Sequence, residues 1–364
     1  MTRVLVVNCG SSSVKLRLLD HHNEVTDSHD LTGVEGTVSA GAMEEALLGF
    51  GAFDAIGHRV VHGGPDFTGP ALVTPAVLER LRALTDLAPL HQPKALAGID
   101  ALQHLAPGTP QAVCFDTAFH AGLPAAAATY AVPARWRERL GVRRYGFHGL
   151  SYAYAARRAA ELAGTDPGRL VIAHLGAGAS LAAVRNGRSV DTTMGFTPLE
   201  GLVMATRSGD VDPGLLVWLL RHGGLNQAEL NTGLEREGGL VGLTGDSDMR
   251  AVAARADAGD RDAVLGVEVY LHRLRAKIAA MAAALGGLDT LVFTGGIGEH
   301  QPRVRAGALD GLGFLGARLD RTANDAARGD AEVTGSGSRV RVLVLTAREE
   351  VQVAEETRTT LRAR

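Results

Sequence analysis

Arg3-Val4-Leu5-Val6-Val7-Asn8, Cys9-Gly10-Ser11-Ser12-Ser13 and Val14-Lys15-Leu16-Arg17-Leu18-Leu19-Asp20 follow one another near the start of the chain. The first run is apolar and ends on Asn8. The second is a turn of small residues. The third alternates apolar positions with Lys15 and Arg17, the period of a strand with one solvated face. Together they predict a hairpin whose tip carries Gly10, three serines, the Asn8 carboxamide and the nearby Lys15 ammonium. Such a tip can approach an anion closely and donate hydrogen bonds from backbone and side chains. An ordinary polar turn has the same composition, so both readings stand at this point. The Walker spacing is absent, and the stretch is not a P-loop.

The pattern returns about half a chain later. Leu170-Val171-Ile172-Ala173-His174-Leu175 leads into Gly176-Ala177-Gly178-Ala179-Ser180, then Leu181–Val184, Asn186-Gly187 and Arg188–Thr192. Asn-Gly between two strand-like runs is a strong hairpin signal. Strand, small-residue turn, strand, turn, strand occurs twice, which points to an internal duplication and two sheet domains facing each other.

The bulk properties narrow the class. The chain has 364 residues, 46% apolar and 21% charged, enough for two domains with sizeable cores. A net charge of −3 and 4% aromatics offer neither a basic surface nor a stacking platform for nucleic acid. Cys9 and Cys114 belong to no metal-ligand cluster. The alanine-rich stretch 276–285 is too short to span a bilayer and contains Lys277. No signal peptide is read, and a cytoplasmic protein without membrane or nucleic-acid partners is expected.

Further strands are expected in Phe53–Gly64, Ala112–Phe115, Leu288–Phe293 and Val340–Leu345. Helices are expected at Met43–Phe50, in two stretches of 75–106 broken by Pro89 and Pro93, at Ser151–Ala163, at Pro213–His222, from Asp248, at Asp262–Leu285 and over the tail Arg348–Leu361.

Several apolar runs end in polar residues: Asn8, Asp116, His174 and Thr294-Gly295-Gly296. Ligands of α/β folds gather at such strand ends. With Arg59, Arg207, Asp210, Arg250 and Glu349 the inventory holds guanidinium groups, glycine turns and carboxylates. Phosphoryl transfer needs this set: cations for the moving group, backbone donors for the other phosphates, and acids for Mg²⁺. Taken singly, each has a plainer reading. An arginine at a strand end is usually a surface ion pair, two glycines permit a tight turn, and Thr206–Asp210 could be a capped loop. Their joint occurrence favours a phosphate-handling enzyme. Asp116 and His120 lack a third ligand at zinc spacing, and no Gly-x-Ser-x-Gly elbow is present.

The collected segments resemble the acetate kinase family, the acyl-carboxylate kinases of the superfamily that includes sugar kinases and actin. They are Asn8–Lys15, His58–Gly64, Phe115–His120, Tyr145–Gly149, His174–Ser180, Met194–Gly201, Thr206–Pro213, Asp248–Arg250, Thr294–Glu299 and Glu349-Glu350. They cover nearly the whole chain in the family's order. The resemblance implies an α/β fold: duplicated actin-like (ribonuclease H-like) domains, each a mixed sheet flanked by helices, with a cleft between them. The domains would be 1–147, with the helix 348–364 packing back on it, and 148–347, which binds nucleotide.

The implied reaction is reversible, direct transfer from ATP to a short-chain carboxylate, giving ADP and an acyl phosphate. Arg59 and Arg207 would grip the carboxylate and the phosphoryl group, with His148 bonding the latter. Asn8, Asp116 and Glu349 would organise Mg²⁺, or Mn²⁺ in its place, and Asp116 would also orient the acid. Ser11, Ser13 and Lys15 would serve the phosphate hairpin. His174, Gly176, Gly178, Gly295, Gly296, Ile297 and Gly298 would meet the nucleotide phosphates and sugar, and Asp248 and Arg250 the nucleoside. Val61, Leu90, His91, Phe147 and Pro198 would wall the acyl group. A homodimer is implied as well. The chain departs from the family's usual residues at Gln92–Ala95, Leu150, Tyr152, Ala177, His300 and Arg348, which bears on rate, donor and acid more than on reaction class.

Overall fold

The computed structural model describes residues 2–10, 13–32, 40–89 and 91–363. Val4–Cys9 forms strand β1, buried at every position except half-buried Asn8. Ser13–Leu19 (β2) returns antiparallel to it, with Asn8 opposite Lys15 and the Gly10 amide donating to the Ser13 carbonyl at 2.8 Å. Val25–Thr32 (β3) continues the meander. Ala55–Val60 (β4) lies parallel to β1, and Ala71–Leu72 (β5) and Gln111–Phe115 (β6) complete a mixed sheet of order β3-β2-β1-β4-β6-β5.

The period-two pattern of β1 sends its side chains to two cores. Leu5, Val7 and Cys9 pack with Met43 and Ala46 of helix Ala40–Gly49, with Phe50 just past it, and with Leu102 of helix Gln92–Leu105. Val4 and Val6 pack on the other face with Leu150, Tyr154, Val351, Val353 and Ala354. Each such Val or Leu contributes roughly 1.5–3 kcal/mol of transfer free energy before chain entropy is counted. The last three belong to the terminal helix Glu349–Arg362, which lies against β1, β4 and β6.

The second sheet repeats the first. Leu170–Leu175 (β7), Ala179–Arg185 (β8), Arg188–Thr192 (β9), Thr290–Thr294 (β10), Ala331–Glu332 (β11) and Arg341–Val344 (β12) take the order β11-β12-β10-β7-β8-β9. Read from its other end, the order and every parallel or antiparallel pairing match the first sheet. Both outer pairs of the meander slip register near their ends, at Leu18/Leu19 and at Ala183/Val184. The long helix Arg261–Leu285 packs on β7, β8 and β9.

Two compact units result. One is Met1–Ala121, Phe147–Tyr154 and Arg348–Arg364; the other is Gly122–Gly146 and Ala155–Ala347. The sequence reading placed one boundary at 147, whereas by contact 122–146 go with the second unit and 147–154 with the first. Two local expectations are corrected. Pro93 opens helix Gln92–Leu105 instead of breaking one, because a first-turn proline sacrifices no intrahelical donor. Helix Gly149–Ala163 begins two residues before Ser151.

Gly57 on β4 shows how closely the terminal helix sits. A Cβ there would lie 2.4 Å from Thr357 Oγ1 and 2.8 Å from Val353 Cγ1. Gly57→Ala should lower stability by about 1–3 kcal/mol through overpacking. The urea midpoint reads this directly, and an unchanged midpoint would mean that the helix shifts at no cost.

Candidate active site

Three neighbouring parallel strands of the first unit end in polar residues. Asn8 on β1 stands beside Arg59 on β4, and the amide of Asp116, just past β6, donates to the Val60 carbonyl at 3.1 Å. The Arg59 guanidinium binds Asp116 through two hydrogen bonds, Nε to Oδ1 at 3.1 Å and Nη2 to Oδ2 at 2.6 Å. Its Nη1 donates to Asn8 Oδ1 at 3.1 Å, and Glu349 Oε2 lies 3.6 Å from Nε. The Arg59 side chain is 18% exposed and that of Asp116 2%.

Burial works against the Arg59 charge, but Asp116 and Glu349 outweigh it and bind its proton more tightly than usual. Burial pushes the Asp116 carboxyl up, helped by Glu349 and opposed by Arg59.

The backbone ties His148 to this cluster. Gly149 N donates to the Asp116 carbonyl at 2.8 Å, and a Cβ on Gly149 would lie 2.2 Å from that oxygen. Half-buried His148 has φ +58°, a left-handed conformation unusual outside glycine, and its carbonyl accepts from Tyr152 N at 3.0 Å at the head of the helix. Phe147 is buried, with its ring edge-on to His62 at 5.5 Å and its carbonyl 3.0 Å from His120 Nε2. Val61 and His91 are half-buried, and His91 immediately precedes helix Gln92–Leu105.

Glu349 is placed by the helix it starts. Arg348 Nη2 donates to the Asn23 carbonyl at 3.0 Å, and Arg358 donates to the carbonyls of Thr2 at 3.0 Å and Asp20 at 2.6 Å. Thus the β2–β3 turn fastens the terminal helix, a contact no sequence motif announces. Lys15 is exposed on β2. Ser11 and Leu90 lie outside the described residues.

In the second unit, β7 and β10 end side by side, with His174 opposite Thr294. Gly176 N donates to the Gly178 carbonyl at 3.0 Å across the hairpin tip, where Ala177 is exposed. Helix Gly295–His300 starts directly off β10. Gly295 has φ +77°, and a Cβ there would lie 2.8 Å from the Leu175 carbonyl oxygen. Gly296, Ile297 and Gly298 follow in that helix. Asp248 caps helix Met249–Asp257 through Arg250 N at 2.9 Å and pairs with the Arg250 guanidinium at 2.8 Å, both side chains being exposed. Among the described residues neither bonds to the glycine turns.

Arg207 sits on a loop closed by Gly201 and Asp210, which exchange hydrogen bonds of 2.8 and 3.1 Å. Lys277 pairs with Asp210, a partnership invisible in the sequence at a separation of 67 residues. Arg207 Nη1 donates to the Pro198 carbonyl at 2.9 Å and meets Met204 Sδ at 3.5 Å. Among the described residues no carboxylate lies within ion-pair distance of Arg207. Burial pushes its pKa down, against the pull of Glu235.

A model of the Acetokinase family matches residues 50–355. The chain belongs to that family. It is an acetate kinase-like phosphotransferase that passes a phosphoryl group from ATP to a carboxylate acceptor. It is 46% identical to the acetate kinase of Deinococcus deserti, over 99% of this chain and 98% of that one. Among solved structures it is similar to the acetate kinase of Porphyromonas gingivalis, at TM-score 0.91, 37% identity, and 99% and 100% coverage of the two chains. A propionate kinase from Francisella tularensis is as close in fold, at TM-score 0.91 and 35% identity, with the same coverage.

Several departures from the usual acetate kinase residues now have a structural account. Leu150 and Tyr152 are buried core, and the Tyr152 ring stands 5.6 Å from that of His120. Buried Gln92 donates to the Leu81 carbonyl at 3.2 Å. Among the described residues no group of three or more His, Cys, Asp or Glu side chains is placed to hold a metal ion, and no helix is long and apolar enough to cross a membrane.

Three histidines around the site are buried neutral. Burial pushes His58, His62 and His120 down to about 4, while the unfolded chain titrates them near 6.5. Between these values the unfolded state binds more protons. The stability they confer is therefore complete above about 6.5 and is lost as pH falls toward about 4. Urea midpoints should fall progressively between pH 7.5 and pH 5. A flat profile would contradict neutral burial.

Proposed function

We propose that the chain phosphorylates acetate with ATP, reversibly and by direct in-line transfer, forming acetyl phosphate and ADP. The Asn8–Arg59–Asp116–Glu349 cluster, in a chain of this family, is the observation that supports this most. The acid is already ionised at neutral pH and needs no general base. The work left to the protein is alignment and charge neutralisation.

Arg207 has no carboxylate partner among the described residues, so its charge is available to the acid and the moving phosphoryl group. Arg59, oriented by Asp116 and Asn8, supplies the second cation. His148, held in position through Gly149, donates a hydrogen bond to the phosphoryl oxygens. Asn8, Asp116 and Glu349 present oxygen donors alone, the chemistry that suits Mg²⁺, and Mn²⁺ as a substitute. These three would hold the ion, which when bound would neutralise phosphate charge. Two carboxylates and an amide leave room for water and phosphate oxygens, as Mg²⁺ sites usually do.

The hairpin residues Ser11, Ser13 and Lys15 serve the transferred phosphate. His174 and the glycines 176, 178, 295, 296 and 298, with Ile297, take the nucleotide phosphates and sugar. Asp248 and Arg250 take the nucleoside. Val61, Leu90, His91, Phe147 and Pro198 wall the acyl group. An apolar wall separates acids differing by one methylene by only about 1–3 kcal/mol. The likeness to a propionate kinase makes propionate the second candidate. A reaction that draws on ATP is in keeping with the cytoplasmic location expected for the chain.

A second copy of the chain is assigned to helix Pro213–His222, none of whose residues is buried. Leu215, Val217, Trp218 and Leu220 are each 44–54% exposed on it. Trapping the product as hydroxamate with acetate, propionate and butyrate tests the reaction. Acetate should give the highest kcat/KM, and absence of hydroxamate with all three acids would refute the reading. Arg207→Ala should lose two to three orders of magnitude in kcat, ~3–4 kcal/mol, like the loss of an oxyanion donor. Near-wild-type turnover would remove Arg207 from its role. Trp218→Glu should convert a dimer to monomer in sedimentation analysis. A wild-type monomer, or a dimer that survives the substitution, would count against this face.

A further inference from the structure

The strongest unassigned cluster of polar side chains lies in the second unit, behind the loop that carries Pro198. Glu200 is its centre. Its Oε1 accepts from Arg144 Nη2 at 2.6 Å and its Oε2 from the Tyr130 hydroxyl at 2.5 Å. The two donors continue onto the loop backbone. Arg144 Nη1 donates to the carbonyls of Thr193 and Met194 at 3.3 and 3.0 Å. The Tyr130 oxygen accepts from Phe196 N at 3.0 Å.

Gly195 lies between them because nothing larger fits. A Cβ there would lie 1.9 Å from Glu200 Oε2 and 2.1 Å from the Tyr130 hydroxyl. Its carbonyl also accepts from Tyr145 N and Gly146 N at 3.0 and 3.2 Å. The Arg144 guanidinium stands 5.3 Å from the Tyr130 ring centroid, which adds a cation–π contact. Burial and Glu200 push the Tyr130 hydroxyl up, so it stays a protonated donor. Segment 193–200 is thus bonded along its length by three side chains from elsewhere on the chain or from its own end.

From this network the Pro198 carbonyl reaches toward the proposed chemistry, holding Arg207 Nη1 at 2.9 Å. With no carboxylate beside it, Arg207 depends on such neutral contacts for its direction. A hydrogen bond to a carbonyl orients a guanidinium without neutralising it. We propose that Tyr130, Arg144 and Glu200 are positioning residues that fix the Pro198 carbonyl and through it the aim of Arg207. The inference rests on the reading that Arg207 meets the carboxylate or the phosphoryl group.

The test is steady-state kinetics of Tyr130→Phe and Glu200→Ala, each alone and combined with Arg207→Lys, alongside Arg207→Lys and Arg207→Ala. Lysine keeps a cation but lacks the fork that spans two acceptors. Tyr130→Phe removes one oxygen and keeps the ring, so folding is preserved while the bonds to Glu200 Oε2 and from Phe196 N are lost; circular dichroism and the thermal midpoint verify this. Tyr130→Phe should lower kcat about tenfold, the size of one oriented hydrogen bond, with KM for ATP within about twofold.

Glu200→Ala should lower kcat further, and Glu200→Gln, which can still bond both neighbours, should recover part of the loss. In the Arg207→Lys background the Glu200→Ala loss should shrink at least about fivefold, the non-additivity of residues acting through one another. Wild-type kcat in folded Tyr130→Phe and Glu200→Ala would overturn the proposal. So would an undiminished Glu200→Ala loss in the Arg207→Lys background. If Arg207→Ala itself turned over normally, the assignment of Arg207 would fail first, and the positioning role with it.

Discussion

The paired hydrogen bonds between Arg59 and Asp116 set the terms for the first unit. Both charges are largely withdrawn from water, a condition neither would tolerate alone. Their approach requires β4 and β6 to end together, which the parallel register imposes by setting Arg59 beside Cys114 and Val60 beside Phe115. It also requires the Asp116 backbone to be held. The Val60 carbonyl takes its N–H, and Gly149 donates to its C=O. That second bond ties down the head of helix Gly149–Ala163, directly after His148 in its left-handed conformation. One ion pair therefore links sheet register, the glycine at 149 and the placement of the histidine. Strain at His148 is tolerable because the groups on either side of it leave little alternative.

The duplicated sheet gives a control within the same molecule. Register equates Asn8 with His174 and Arg59 with Thr294, since each pair closes the same parallel ladder. Carried on through the pairings Arg59↔Cys114 and Phe293↔Val344, the counterpart of Asp116 is Ala347. The same architecture thus presents a guanidinium and a carboxylate in one copy and a threonine and an alanine in the other. Ala347 N is bonded instead by Glu299, from the short helix that starts at the glycine turn, at 3.0 Å. The backbone alone does not specify chemistry. Three side chains at equivalent strand ends make one copy strongly ionic and leave the other to backbone and imidazole donors.

Much of this was legible before any coordinates. The two hairpins, the strand ends and the long helix Arg261–Leu285 follow from apolar periodicity and glycine turns, which are local properties. The family resemblance supplied the reaction class. Pro93 was misread because a proline signals a helix start as well as a helix stop, and only the surrounding chain decides between them. Leu150 and Tyr152 looked like changes beside the chemistry, yet their side chains fill core space, which depends on packing partners distant in sequence. Lys277 beside Asp210, and Arg358 on the β2–β3 turn, could not be found from spacing at all. Glu200 lies within a segment already singled out and Arg144 just before one, but a charged pair leaves no period or motif when its members are 56 residues apart.

The two arginines illustrate why compensation, and not charge alone, decides what a cation can do. Arg59 faces two carboxylates, which define its geometry closely while offsetting part of its field on an approaching anion. Arg207 faces a carbonyl and a thioether sulfur, with Glu235 acting on its charge only from beyond ion-pair distance, so its geometry depends on weaker contacts. Burial disfavours the Arg207 charge, yet a guanidinium remains protonated under any ordinary condition. Desolvation then appears as an unmet demand for an anion instead of as a lost proton. A carboxylate or phosphate that arrives recovers that cost, and in surroundings of low polarity the attraction exceeds its value in water. On the role proposed for Arg207, the same burial that raises its affinity for charge leaves its direction dependent on one carbonyl, so a rigid loop at Pro198 would serve both aim and affinity.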